Sequence, residues 1–203
     1  MAKNSKAFLK AIRARKGARA YQGADPSRAD LIFVGIEANW PKVAELSSAH
    51  RDAIIDYLSD GAAFWTRHGF HHPLLCCGGR VPGRRFHTRF AKMHLDASYA
   101  NRVAFVELLA KHTTRGSSWG AATLMRAVSS KQNAPHLKQL QIWLQGSEKI
   151  VFLGSALLRD SRIRESLGIQ NPTGRNVIEH THLSRISNKN LGQLRKKILR
   201  LGG

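Results

Sequence analysis

Four short apolar runs, separated by stretches of helical periodicity, constrain the fold of this chain most strongly. They are LIFVGIE, RVAFVELL, KIVFLGS and NVIEHTHL, which cover 31–37, 102–109, 149–155 and 176–183. The first three are almost continuously apolar rather than alternating, as is typical of strands covered on both faces and therefore parallel. We expect a three-layer α-β-α fold with a central four-stranded parallel sheet.

The segments around these runs carry apolar residues at helical spacing. They predict helices over 49–60 (capped by Ser47 or Ser48), 119–130, 136–145, 155–168 and 188–203. The glycine- and arginine-rich segment 76–90 is predicted to be a long loop. We find no domain boundary, and so expect one domain over 1–203 with 1–24 as a basic N-terminal helix or arm.

Charge points to the partner. The chain of 203 residues has 33 Lys and Arg against 13 Asp and Glu, a formal net charge of +20. Such an excess is costly in self-repulsion and indicates a polyanionic partner. We expect DNA as the partner, no membrane and a monomer. The arginine-rich N-terminus does not resemble a secretory signal. We therefore expect a bacterial cytoplasmic, nucleoid-associated protein, although an organellar address stays open.

The sequence lacks the motifs of several common kinds of functional site. The adjacent Cys76 and Cys77 make neither a disulfide framework nor a four-ligand metal site. His71 and His72 are expected in a polar loop. No phosphate-binding loop or dinucleotide fingerprint is present in the sequence. We therefore expect no metal and no cofactor.

The sequence GSSWG, 116–120, fits the nucleophile elbow of serine hydrolases. Ser118 would be the nucleophile, with Asp160 and His180 in the required order. An elbow needs a strand running directly into the serine, and here the polar segment AKHTTR intervenes. A serine hydrolase is therefore a weaker alternative.

Polar side chains follow the predicted strands, and the carboxyl ends of parallel strands are where ligands bind. These side chains are Glu37, Asn39, Trp40, Glu107, Lys111, His112, Ser155, His180, His182 and Ser184. Because the strands belong to one sheet, we expect them to gather at one edge.

At these strand ends the sequence resembles the uracil-DNA glycosylase superfamily. GIEAN resembles the first family motif, with Glu37 at the water-activating position and Ala38 in place of the family proline. FVELLAKHTTRGSS resembles the second motif, and Glu107 falls where the family has the asparagine that reads the base. EHTHLSR takes the place of the histidine motif.

The resemblance implies a four-stranded parallel sheet and an enzyme that excises uracil, or a related deaminated base, from DNA. Glu37 would orient water and stabilise an oxocarbenium-like sugar. His180, with His182 as the second candidate, would stabilise the departing base anion. Leu183 or Arg185 would wedge into the DNA stack. The ring that stacks on the base would be Trp40, Phe64 or Phe70, and Asn39 and Ser155 would line the same pocket.

Glu107 leaves three alternatives open. An ionised carboxylate only accepts hydrogen bonds, so it could take the N3–H of uracil but would repel O4. Either burial protonates Glu107, or another group such as Lys111 meets O4, or the pocket prefers another base.

Non-specific DNA affinity would come from phosphate contacts. The candidates are Arg80, Arg84, Arg85, Arg89, Lys111, Ser184 and Arg185. A non-catalytic nucleic-acid-binding module with the same fold is the alternative from another class. Trp65, Trp119 and Trp143 are predicted to be core residues, and His50, His68, His87, His94 and His136 are predicted to be surface residues.

Overall fold

The computed structural model describes residues 21–37, 46–76, 81, 83–110, 119–146, 148–169 and 177–201. The strands are β1 (Tyr21–Gly23), β2 (Leu31–Gly35), β3 (Val103–Glu107), β4 (Ile150–Leu153) and β5 (Val177–Glu179). The helices are α1 (Ser48–Ser59), α2 (Gly61–His68), α3 (Arg84–Ala91), α4 (Ala121–Val128), α5 (Ala134–Leu144), α6 (Ser161–Ser166) and α7 (Asn188–Leu201). No helix within these ranges is long and apolar enough to cross a membrane.

The strands form one five-stranded sheet in the order β1-β3-β2-β4-β5. Strands β2 to β5 are parallel, as the continuous apolar runs predict, but β1 joins the edge antiparallel to β3. The prediction of four parallel strands is therefore corrected to a mixed sheet of five. Three residues of sequence YQG are too short to show a strand pattern, and they lay in the segment predicted as a basic arm.

Alternation of side chains divides the core between the two faces of the sheet. On one face, Ile32 and Val34 pack with α4, α5 and α6. On the other, Leu31, Phe33 and Phe105 pack with α2, α3 and α7. A smaller cluster that includes Ile54, Tyr57 and Phe64 lies around α1. The protein is thus an α/β structure with helices on both faces of the sheet.

Two differences from the predicted helices have identifiable causes. The predicted helix 155–168 is divided because Asp160 accepts a hydrogen bond from Arg162 N–H and so begins α6 after a separate 3₁₀ turn, Ala156–Arg159. The predicted loop 76–90 contains most of α3, whose Phe86 and Phe90 lie four residues apart. Helix α2, which Asp60 caps, was not predicted.

The tryptophans are buried or partly buried as predicted, whereas the predicted exposure of four histidines is wrong. Trp65 and Trp143 are buried, and Trp119 packs partly buried on the same core as Trp143. His68 and His94 are exposed as expected, and His136 is half-buried. Four histidines assigned to the surface or to a polar loop are instead buried: His50, His71, His72 and His87. A histidine ring can be buried when it is neutral and hydrogen-bonded. The sequence pattern does not reveal such hydrogen bonds.

Candidate functional site

A cavity of about 160 Å³ lies at the carboxyl ends of the parallel strands, on the sheet face covered by α3. Fifteen residues line it: Gln22, Phe33, Val34, Gly35, Ile36, Glu37, His72, Gly83, Phe86, His87, Phe105, Glu107, Gly154, His180 and His182. Of the residues predicted for the site, the cavity brings together Glu37, Glu107, His180 and His182. The sequence pattern therefore located its polar edge.

Two glycines create the space at this edge. A Cβ atom added to Gly35 would lie 2.2 Å from Oε2 of Glu107, so the glutamate carboxyl occupies the room that a side chain would take. A Cβ atom added to Gly154 would lie 3.2 Å from the Val34 carbonyl oxygen and 3.4 Å from Cε1 of His180. Both glycines belong to the sheet face that carries the cavity, so the polar groups lie directly on the strand ends.

Glu107 is a protonated acid at neutral pH. Its Oε2 is inaccessible to solvent and has no hydrogen-bond partner among the described residues. Burial, followed by repulsion from the carboxylate of Glu37, raises the pKa of Glu107 from 4.5 to about 8. A buried polar atom without a partner is uncommon and marks a position where a ligand can supply one. The protonated form offers one donor and one acceptor.

The backbone at Glu107 is held from the opposite side of the sheet. His136 donates from Nε2 to the carbonyl oxygen of Glu107 at 2.7 Å. Just beyond, Asn133 accepts from Ala110 N–H at 3.1 Å and donates to the Leu108 carbonyl at 3.2 Å. These contacts fix the end of β3, and so they fix where the acid enters the cavity.

His180, which lines the cavity, is a neutral histidine with a lone pair on Nε2. Its Nδ1 lies 2.5 Å from the carbonyl oxygen of Thr181, which can only accept, so Nδ1 carries the proton. Burial lowers the pKa of His180, so the ring is neutral and its Nε2 is an acceptor. Nε2 is buried and has no hydrogen-bond partner in the described part of the chain.

His182 is the opposite tautomer. Its Nδ1 accepts from Ser184 N–H at 3.3 Å and lies 2.7 Å from the Ser184 hydroxyl. Desolvation, then the positive charge of Arg185, lowers the pKa of His182, so the neutral ring carries its proton on Nε2. The cavity is therefore lined by one histidine that donates and another that accepts.

Two buried histidines, His72 and His87, line the cavity on the side of β1, and a third, His71, contacts His87. His72 and His87 stack with ring centroids 3.4 Å apart and planes 7° apart, and His71 Nε2 lies 3.1 Å from His87 Nδ1. Burial lowers the pKa of all three, to about 3 for His87. The neutral rings of His72 and His87 therefore form one wall of the cavity. Within the described residues, no group of three metal-ligating side chains could hold a metal ion.

A larger open groove of about 570 Å³ shares His180 with the cavity and runs along α7. Ile178, Ile186 and Leu194 contribute apolar lining. Its cations are Arg159, Lys196, Lys197 and Arg200, of which Arg159 is paired with Glu179 at 3.5 Å. A positively charged groove that adjoins a cavity the size of one ring can bind an anionic chain while the cavity holds a ring of that chain.

Several predicted site residues lie elsewhere. Leu183 is fully buried in the core, so its side chain cannot act as a surface wedge, whereas Arg185 is exposed. Phe64 is fully buried in the cluster around α1, and Phe70 packs against the same cluster, so neither ring reaches the cavity. Ser155 caps the 3₁₀ turn by accepting from Leu157 N–H.

The residues predicted to contact phosphate groups lie in different parts of the chain. Arg84, Arg85 and Arg89 lie on α3, where Arg85 is exposed and Arg89 donates to Oδ1 of Asn188 at 2.6 Å. Ser184 orients His182. Asn39, Trp40, Arg80 and Lys111 lie outside the described residues, as do Cys77, His112 and Ser118.

The contacts of the proposed hydrolase partners do not support a serine triad. Asp160 caps α6 and pairs with Arg162 at 2.8 Å. The Nδ1 proton of His180 goes to the Thr181 carbonyl rather than to a carboxylate. The orienting contact that a triad needs is therefore made with another group.

Sequence reasoning missed Gln22, His72, Phe86 and His87, all of which line the cavity. The aromatic spacing of α3 could have indicated Phe86, because residues four apart share a helix face. Nothing in the local pattern indicated the others, which reach the site through tertiary packing. Comparison with family models, with curated proteins and with solved structures gives no match.

Proposed function

We propose that the protein is a metal-independent DNA glycosylase that hydrolyses the N-glycosidic bond of a flipped-out uracil, or a related deaminated base, and that its helices and sheet form a three-layer α-β-α domain. The observation that supports this most strongly is the protonated Glu107 beside the carboxylate of Glu37 in one cavity. Two carboxyl groups whose environments separate their protonation states are typical of glycosidic chemistry.

The size of the cavity favours a single ring. An apolar cavity of about 150 Å³ in another protein holds benzene, and the cavity here measures about 160 Å³. Phe33, Phe86 and Phe105 give it aromatic walls. A pyrimidine fits this space better than a two-ring purine, so we place uracil ahead of hypoxanthine and xanthine.

Hydrolysis needs positive charge stabilised at C1′ of the sugar and a water molecule aimed at it. The Glu37 carboxylate performs both roles. The C1′–N1 bond breaks with its electron pair on the base, the water oxygen bonds to C1′, and one water proton passes through Glu37 towards the base. No metal or cofactor takes part in this scheme.

The departing base needs hydrogen-bond donors for its negative charge. His182, neutral and protonated on Nε2, supplies one donor at a carbonyl oxygen of the base. Protonated Glu107 can accept N3–H with its carbonyl oxygen. We therefore assign this role to His182 rather than His180, because the neutral His180 carries a lone pair on Nε2 and so accepts rather than donates.

The charge of the chain supports a nucleic-acid substrate. A net charge of +20 gives affinity without sequence choice through counterion release. The groove along α7 meets the cavity at His180, so a DNA strand lying on Lys196 and Lys197 would bring a flipped nucleotide to the cavity. Arg185, exposed beside His182, is the candidate wedge.

An excision assay on synthetic DNA tests this function. Labelled duplexes and single strands, each with one uracil, hypoxanthine, xanthine or hydroxymethyluracil, are incubated with excess protein and cleaved with alkali. We expect cleavage at uracil, and a loss of several orders of magnitude in Glu37→Gln with DNA binding preserved. The exposed Glu148→Gln variant is the matched control. Absence of cleavage at every lesion would exclude the enzyme.

The groove along α7 also favours a second candidate, a nucleic-acid-binding module without catalysis, because its cations need no chemistry in the cavity. The two candidates differ in one result. A binding module would hold DNA equally well with or without uracil, and Glu37→Gln would change nothing.

A further inference from the structure

Gln22 occupies an unexpected place beside the acid. It lies on the edge strand β1 directly opposite Phe105 of β3, so its side chain shares the sheet face of Phe105 and Glu107. Residues diagonal to each other across an antiparallel pair lie about 7–8 Å apart. The side chains of Gln22 and Glu107 can therefore both reach one small ring, and both line the cavity.

A chain of hydrogen bonds orients the amide of Gln22. Leu74 N–H donates to Nδ1 of His72 at 3.2 Å, so the single proton of the neutral ring lies on Nε2. That nitrogen lies 3.1 Å from Oε1 of Gln22. The amide oxygen is thus engaged as an acceptor, and the amide NH₂ group is directed away from His72.

The residues behind this chain are rigidly packed. His72 is about 1% exposed and stacks flat on His87, and Leu74 is about 1% exposed in the cluster around α1. The amide NH₂ of Gln22 has no hydrogen-bond partner among the described residues. A donor whose orientation is fixed before binding loses little conformational freedom when a ligand arrives.

We propose that the NH₂ group of Gln22 reads the O4 carbonyl of the flipped base and thereby selects a keto pyrimidine over an amino pyrimidine. This inference rests on the proposed function. Across the sheet the polar groups run in the order Gln22 on β1, Glu107 on β3 and Glu37 after β2. A uracil with its sugar at Glu37 presents N3–H to Glu107, and the next group beyond is O4. Cytosine would place its amino group at this position, so that two hydrogen-bond donors would face each other.

The expected size of the effect follows from an unmade hydrogen bond. Leaving one buried donor or acceptor unpaired costs roughly 10- to 100-fold in an equilibrium or rate at room temperature. Gln22→Leu should lower single-turnover excision of uracil by that factor. It should cause no further loss on pyrimidin-2-one, which lacks O4. Gln139→Leu, an exposed glutamine on α5, is the control for loss of an amide.

Two variants and a spectroscopic readout keep the test decisive. Gln22→Met keeps the length of the side chain and removes the donor, so it should lose a similar amount of activity on uracil if Gln22→Leu does not fold. Nitrogen-15 NMR of the wild-type protein should show His72 protonated on Nε2. A proton on Nδ1 would overturn the orientation and the inference with it.

Binding of free uracil separates this inference from the proposed function. If the protein excises nothing but binds uracil more tightly than pyrimidin-2-one, which lacks both O4 and N3–H, and Gln22→Leu reduces that difference by roughly 10- to 100-fold, then the base-reading role stands and the enzymatic role falls. If excision occurs and Gln22→Leu matches Gln139→Leu on uracil, then Gln22 does not read the base and the inference is wrong.

Discussion

Replacing Glu107 by Gln should remove a pH-dependent weakness of the fold. In the unfolded chain the carboxyl loses its proton above its ordinary pKa of 4.5, whereas in the folded protein it keeps the proton until about pH 8. Folding therefore takes up a proton between these values, and raising the pH through this window destabilises the wild-type protein. Glutamine has the same size and no titration, so the variant escapes this loss.

The magnitude follows from the shift. Each pKa unit corresponds to about 1.4 kcal/mol. The wild-type protein should thus lose stability relative to Glu107→Gln by about 1.4 kcal/mol per pH unit from about pH 5 to pH 8, reaching on the order of 5 kcal/mol above it. Urea unfolding of both proteins at each pH measures this difference. The buried histidines titrate in both proteins, so subtraction removes most of their contribution.

Catalysis should follow the same group. The amide of Gln offers a donor and an acceptor, as the protonated acid does, so Glu107→Gln should keep uracil excision. It should also resist the decline in excision that we expect of the wild-type protein above about pH 8, where Glu107 loses its proton. The exposed Glu148→Gln variant should behave like wild type in both assays. A stability difference that stays flat from pH 5 to pH 8 would refute the reasoning.

Three further changes probe the site and the groove. In Gly35→Ala, the new methyl group would lie 2.2 Å from Oε2 of Glu107, so the acid must rotate; excision should fall at least 10-fold, and wild-type activity would show that the acid's position is unimportant. His182→Ala should lower excision by about 10²-fold, as loss of one anion-stabilising donor does; an unchanged rate would remove it from the mechanism. Lys197→Gln should reduce the salt slope of DNA binding by about 0.7 to 0.9, and the exposed Lys138→Gln should show the size of a remote charge change.

The sequence predicted the parallel part of the sheet because continuous apolar runs are required when helices cover both faces. It also placed Glu37, Glu107, His180 and His182 at one edge, since the carboxyl ends of parallel strands coincide. The chemical roles of these side chains could not be predicted from their positions alone. In His180 the position of the proton depends on the carbonyl oxygen of the next residue, and in His182 it depends on the backbone N–H two residues later. No residue pattern encodes that geometry.

The opposite wall of the cavity could not be predicted from local pattern. Gln22 reaches it through a three-residue strand, and His72 and His87 meet across fifteen positions of sequence only after the chain folds. A histidine pair in a polar stretch is usually exposed, and here hydrogen bonds to Gln22 and Leu74 make burial tolerable. Phe64 shows the reverse error, because its ring serves the core around α1 instead of a ligand.

The alternation of the strands has a consequence for how this protein can change over evolutionary time. In β2, Ile32 packs with the helices of one layer and does not line the cavity, whereas Phe33 and Gly35 line the cavity. A deep mutational scan of β2 should therefore show a two-residue rhythm. Conservative swaps at Ile32 should alter thermal stability alone, and swaps at Phe33 and Gly35 should alter turnover as well. One face of the sheet can then drift while the other preserves its chemistry.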